Sequence, residues 1–113
     1  MAETDLVLID TSAVLALLSR DDRFHESAQS AYNRLLRRRV ELWATSYSLV
    51  ETIALVQNRL KFQGISDFSE RYLADLRVFW IDEQVHDTAW ARFMESRGQG
   101  LSFVDGTIVI ASR

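Results

Sequence analysis

Residues 7–12 read VLIDTS, a continuous apolar run that meets Asp10 and then two small hydroxyl residues, Thr11 and Ser12. Asp10 is the only charged side chain between Asp5 and Arg20. Leu6–Ile9 is apolar on both faces, as strands of a parallel sheet covered by helices are, rather than alternating as a half-solvated strand does. A second run of this type spans Val78–Ile81, and a weaker third spans Val40–Ala44, where Glu41 interrupts it.

The segments between these runs carry helical spacing. Phe24, Ala28, Ala31 and Leu35 form one stripe, and Leu49, Ile53, Val56 and Leu60 a second. Ile65, Phe68, Tyr72 and Leu76 form a third, and Val85, Ala89 and Phe93 a fourth. Strands alternating with helical segments indicate α/β layering with a central parallel sheet between helices. Ligands of such sheets bind beyond the carboxyl ends of the strands, which is where Asp10 falls.

Two further carboxylates are isolated in the same way. Glu51 is the only charge between Glu41 and Arg59, and Asp105 the only one between Arg97 and Arg113. All three lie in segments whose composition predicts burial. A buried carboxylate must be paired, hydrogen-bonded, protonated or bound to a cation. No basic residue lies within one helical turn of any of them, so a shared cation is one economical partner. Capping is the alternative. Asp10 is a favoured N-cap type for a helix starting near Thr11, and Ser102-x-x-Asp105 and Ser48-x-x-Glu51 have the form of capping boxes. Glu51 fits that reading less well, because its helix plausibly starts at Thr45 or Ser46. Both readings stay open, since a capping carboxylate keeps one oxygen for an ion.

The bulk properties narrow the class. The chain has 113 residues, 48% hydrophobic and 26% charged, and is expected to form one domain over residues 1–113. There is no cysteine, which excludes a disulfide framework, a thiolate nucleophile and cysteine-ligated zinc. No apolar run approaches the roughly 20 residues that span a bilayer. The N-terminal MAETDLV is acidic, unlike the start of a secretory signal, so a cytoplasmic location with no membrane association is expected. A net charge of −3 gives no global footprint for nucleic acid.

LIDTSAVLALL, ATSYSLVETIALVQNRL and GLSFVDGTIVIASR together resemble a PIN domain, most closely the VapC-type toxin ribonucleases. The resemblance rests on an Asp ending the first strand, a Glu in a mid-chain helix after a Thr/Ser-rich start, and an Asp opening a late helix after a Ser. It implies a three-layer α/β/α PIN-like fold, and Mg²⁺- or Mn²⁺-dependent endoribonuclease activity as the toxin half of a toxin–antitoxin pair. Asp10, Glu51 and Asp105 become the catalytic and metal-binding residues, with Thr11, Ser12 and Ser102 supporting them. The implied partners are RNA, a cognate antitoxin protein and a second copy in a homodimer, with Tyr72 and Phe62 as candidate contact residues. In the family pattern another strand follows the late helix and ends in a fourth acidic residue. This sequence stops at Arg113, so the last strand is expected to be missing and the PIN-like domain C-terminally incomplete. Gly106 stands where the family often has Ala, which weakens the first turn of that helix.

The remaining candidates carry less. Arg20, Arg23, Arg37 and Arg38 are possible RNA contacts, although a basic run ending a helix also matches the helix dipole. Trp43, Trp80 and Trp90 could stack bases but sit in core-like contexts. His25 and His86 read as solvated helix residues, and Asp82 as a cap for the helix after the third strand. A haloacid-dehalogenase-type phosphatase also begins with an Asp after a strand. It needs a second Asp two residues on, where Ser12 stands, and Lys61 is the only lysine in the chain. The other alternative is a catalytically inactive PIN-like binding module, or an incomplete fragment, that binds a partner protein.

Overall fold

A computed structural model describes residues 6–112. Three strands, β1 (Leu6–Leu8), β2 (Glu41–Thr45) and β3 (Leu76–Phe79), form a fully parallel sheet in the order β1-β2-β3. Leu6 aligns with Glu41 and Leu8 with Trp43; Leu42 aligns with Leu76 and Thr45 with Phe79. The register places the starts of β1 and β2 level, β2 runs two residues further, and Ile9 N–H extends the ladder to the Trp43 carbonyl at 2.9 Å.

Five helices cover the sheet: α1 (Thr11–Leu18), α2 (His25–Arg37), α3 (Ser46–Arg71), α4 (Glu83–Glu95) and α5 (Phe103–Ala111). Helix α1 buries four consecutive residues, Val14, Leu15, Ala16 and Leu17, because it packs between neighbours α2 and α3. On one face of the sheet, Val7, Ile9 and Leu42 join Val14, Leu15, Leu17, Tyr32, Val56, Phe68 and Tyr72 in the core. On the other face Leu6, Leu8, Trp43 and Phe79 meet Ile108 and Ala111 of α5 around an apolar cavity of 180 Å³. The expected α/β/α layering is therefore present.

Several local expectations are corrected. The third strand begins at Leu76, not Val78, and ends at Phe79, short of Ile81. Its burial alternates because Arg77 points outward, 3.6 Å from the Glu41 carboxylate. Trp80 is 72% exposed rather than in the core, and Tyr72, a candidate contact residue, is buried at 8%. The stripes at 49–60 and 65–76 share one long helix, broken at Lys61, whose backbone adopts φ 59°, ψ −162°. That helix ends at Arg71, so Leu76 belongs to β3.

Candidate active site

The carboxyl edge of the sheet is a row of helix starts, each capped by a side chain. Asp10 caps α1, Thr45 caps α3, Asp82 caps α4 and Ser102 caps α5. Asp10 lies two residues past β1, Thr45 is the last residue of β2 and Asp82 lies three residues past β3, so their helices open at this edge. Helix α5 follows no strand, but its first residue, Phe103, packs on Tyr47 in the first turn of α3 and His86 in the first turn of α4. That contact brings Ser102 and Asp105 to the same edge. Unpaired N–H groups and aligned peptide dipoles at helix N-termini favour anions, whether carboxylates or phosphate.

Asp10 is held from two sides. The Ala13 N–H and the Ser12 hydroxyl both donate to Oδ1, each at 2.9 Å. Oδ2 has no hydrogen-bond partner among the described residues. Asp10 therefore caps and still offers a free oxygen, so the two readings of its role coexist.

Glu51 lies in the second turn of α3, past the capping position, because Thr45 is the cap and receives the Ser48 N–H at 3.1 Å. Its Oε1 stands 3.5 Å from the Thr11 hydroxyl, a long contact, and that hydroxyl is 2.8 Å from the hydroxyl of Thr52. Each hydroxyl has one hydrogen to give. If Thr11 gives its hydrogen to Glu51, Thr52 must give its own to Thr11, so the chain runs Thr52 to Thr11 to Glu51. Thr52 is buried and fixes the far end of this chain. The Asp105 N–H donates to Ser102 Oγ at 3.1 Å, the capping half of the motif, while its carboxylate makes no hydrogen bond among the described residues.

All three carboxylates are exposed, which overturns the inference that they are buried. They stand alone in sequence because their neighbours turn into the core while they remain on the rim. Among the described residues no three histidine or carboxylate side chains are grouped closely enough to hold a metal ion. The donor type fits a hard cation all the same: carboxylate oxygens with free lone pairs, of which Mg²⁺ takes one or two while keeping several waters.

Of the basic candidates, Arg37 and Arg38 lie before β2, at the amino edge, about 17 Å of strand away from the carboxylates. Arg20 and Arg23 follow the C-terminus of α1, about 12 Å of helix from Asp10. Asp82 caps α4, taking the Val85 N–H at 2.9 Å. The histidines are not simply solvated. His25 Nδ1 bonds the Ala16 carbonyl at 2.8 Å, and His86 Nδ1 bonds the Tyr47 hydroxyl at 2.6 Å. Sequence reasoning did not single out Thr52, Ser46, Tyr47 or Phe103 as site supports. The hydroxyl-rich run TSYS at 45–48, one turn before Thr52, was the available signal for the first two.

Parallel strands ending in capped helices, with carboxylates along the rim, define an α/β protein whose ligand edge is acidic and polar. The chain matches the PIN domain family over residues 7–111, and it belongs to that family. Its fold is similar to that of the crystal structure of Mycobacterium tuberculosis VapC20, a sarcin–ricin loop cleaving toxin. The two are 22% identical with a TM-score of 0.73, over 96% of this chain and 82% of that one. A comparison with curated protein sequences gives no match.

Proposed function

We propose that this chain is a metal-dependent endoribonuclease, the toxin component of a toxin–antitoxin pair acting in the cytoplasm. The observation that carries this reading is Asp10. It is locked by two donors on one oxygen, keeps the other free, and stands at the edge where helix N-termini gather and which also carries Glu51 and Asp105. Asp10, with Asp105 and Glu51, would hold Mg²⁺ or Mn²⁺. When bound, the ion supplies activation of water and neutralisation of charge at the phosphodiester.

The chain's own residues do the rest. Ser12 and Ala13 fix the Asp10 carboxylate. Thr11, backed by Thr52, holds Glu51 where it orients the attacking water and accepts its proton. As the water oxygen bonds to phosphorus, the bond to the leaving oxygen breaks, and that oxygen takes a proton from solvent. The N-termini of α1 and α5, capped by Asp10 and Ser102, favour the negative phosphate. A cognate antitoxin and a second copy of the chain are the partners this reading carries. Phe62, 79% exposed, is the candidate contact residue for either.

The spacing of the three carboxylates favours a second reading, an inactive PIN-like module or fragment that binds a partner protein, because they form no ready-made cluster. One experiment separates the two. The protein is incubated with structured RNA, including a sarcin–ricin loop oligonucleotide, in Mg²⁺ or Mn²⁺, beside Asp10→Asn and an EDTA control. Cleavage lost in both controls supports the nuclease. Cleavage unchanged in Asp10→Asn refutes the metal site, and absence of cleavage in every arm favours the binding module.

A further inference from the structure

Helix α5 is held differently from the other helices that open at the carboxyl edge. The loop before it passes through three left-handed residues, Arg97 (φ 55°), Gly98 (φ 73°) and Gly100 (φ 87°). Residues 94–102 are exposed throughout, so the loop has little packing to fix it. The side-chain hydrogen bonds within α5, from Thr107 and Ser112, are local, and that of its cap Ser102 is local too. Among the described residues, no side-chain hydrogen bond ties α5 to another element.

Ile108 and Ala111 pack toward the sheet further along the helix, and its first residue adds an aromatic tie at the N-terminal end. The Phe103 ring lies 5.2 Å from His86 at 77°, 5.7 Å from Trp90 at 81°, 5.9 Å from Phe93 at 70°, and 6.1 Å from Tyr47 at 40°. Three of the four contacts are edge-to-face, the arrangement in which a positive ring edge meets a negative ring face. The receiving pocket is itself braced. The 2.6 Å bond between the Tyr47 hydroxyl and His86 Nδ1 joins α3 to α4, and the Ile81 N–H donates to Ser46 Oγ at 2.9 Å beside it. Asp105 follows Phe103 by two residues, about 200° around the helix axis. With Phe103 seated in the rings, Asp105 is presented on the opposite, exposed side of the same turn.

We infer that Tyr47, His86 and Phe103 form an aromatic clamp that sets the first turn of α5 and so positions Asp105 at the acidic edge. The clamp's part in metal binding rests on the nuclease reading; its part in ordering α5 does not. The three are positioning residues. The test uses Phe103→Leu, which keeps an apolar side chain but removes the ring; Tyr47→Phe, which keeps the ring but removes the hydroxyl; and Phe103→Tyr as the conservative variant. Amide hydrogen exchange is followed at Asp105 and Gly106 without metal, Mn²⁺ affinity by calorimetry, and RNA cleavage as kcat and KM separately.

Phe103→Leu is expected to speed exchange at these two amides roughly tenfold, the scale of one aromatic pair, while the β2 amides stay protected. Mn²⁺ binding should weaken by a similar factor and kcat fall with KM for RNA unchanged. Tyr47→Phe should show a smaller change in the same direction, and Phe103→Tyr should behave as the parent. Unchanged exchange at Asp105 and Gly106 in folded Phe103→Leu overturns the clamp. So does a rise spread evenly over the whole chain, which marks a general loss of stability. If Phe103→Leu does not fold, unchanged exchange in Tyr47→Phe overturns the clamp in the same way. A parent protein that binds no Mn²⁺ defeats the nuclease reading, and the exchange result still decides the clamp.

Discussion

Asp10 is a helix cap and, on the proposed reading, a metal ligand as well, and a pair of substitutions separates the two roles. Asparagine caps a helix about as well as aspartate, whereas alanine costs about 1 kcal/mol at an N-cap. Asp10→Asn should therefore unfold in urea near the parent midpoint, and Asp10→Ala should unfold earlier by about that energy. Mn²⁺ affinity should fall in both. Parallel losses of stability and affinity across the two variants would reduce Asp10 to a cap. The three carboxylates are legible in the sequence because each stands alone among apolar residues, but they are exposed rather than buried. Each occupies the solvent side of an element whose other side is core, and periodicity alone does not mark which position of an apolar run lies on the rim. The supports were less legible still. Thr11 and Thr52 lie 41 residues apart, and Tyr47 and His86 lie 39 apart, so neither contact leaves a local pattern.

At the scale of elements, β1 and β2 are readable because their residues are apolar in an unbroken or nearly unbroken run, although only the central strand, Glu41–Thr45, is covered on both faces and Leu6 and Leu8 of β1 stay exposed. β3 is displaced from the expected Val78–Ile81 because Arg77, turned to solvent, breaks the apolar run, while Trp80 and Ile81 prolong it beyond the sheet. Helix α3 holds an instructive strain. Lys61 takes φ 59° with ψ −162°, a region that glycine alone adopts freely. The break lets the helix resume with Gly64 pressed on Leu60, where an added Cβ would lie 2.4 Å from the Leu60 Cβ. Lys61→Gly should therefore stabilise the protein by about 1 kcal/mol in urea unfolding, which is opposite to the usual effect of glycine in a helix. A second element-level contact joins α2 to the turn before β3, where the Tyr32 hydroxyl donates to Asp75 Oδ2 at 2.7 Å. Burial first, then this bond and the nearby carboxylate charge, push the Tyr32 hydroxyl well above its ordinary value, and burial pushes Tyr72 up as well. The folded chain then keeps protons that the unfolded chain releases above about pH 10. Stability should be full below that pH and fall as pH rises through it. Tyr32→Phe should shallow that fall in urea midpoints measured from about pH 9 to pH 11 and leave part of it to Tyr72.

At the scale of the whole molecule, the candidate carboxylates and the arginines before β2 lie at opposite ends of the strands. The carboxyl edge carries Asp10, Glu51, Asp82 and Asp105, while Arg37 and Arg38 gather at the amino edge, and the net charge is −3. The body is a slab of 43 × 40 × 22 Å, with a radius of gyration of 15.2 Å against about 13 Å for a compact domain of this length. A substrate bound at the acidic edge therefore reaches the arginines only if it extends along the slab for about 17 Å of strand. On the nuclease reading, a short single-stranded substrate would touch the carboxylates alone, and a long structured RNA would engage both edges. The double variant Arg37→Ala/Arg38→Ala should accordingly cleave a dinucleotide at the parent rate. On structured RNA its KM should rise and its salt dependence should flatten by about one or two counterions' worth of slope, with kcat preserved. An equal loss on both substrates would mean that the arginines act on the reacting edge through the fold, and no change on either would mean that RNA never passes over the amino edge. Rates on both substrates, measured from low to moderate salt, distinguish these outcomes. The arrangement favours a loss on structured RNA alone, because the arginines and the carboxylates lie at opposite ends of the same strands and cannot both touch a phosphate of one short ligand.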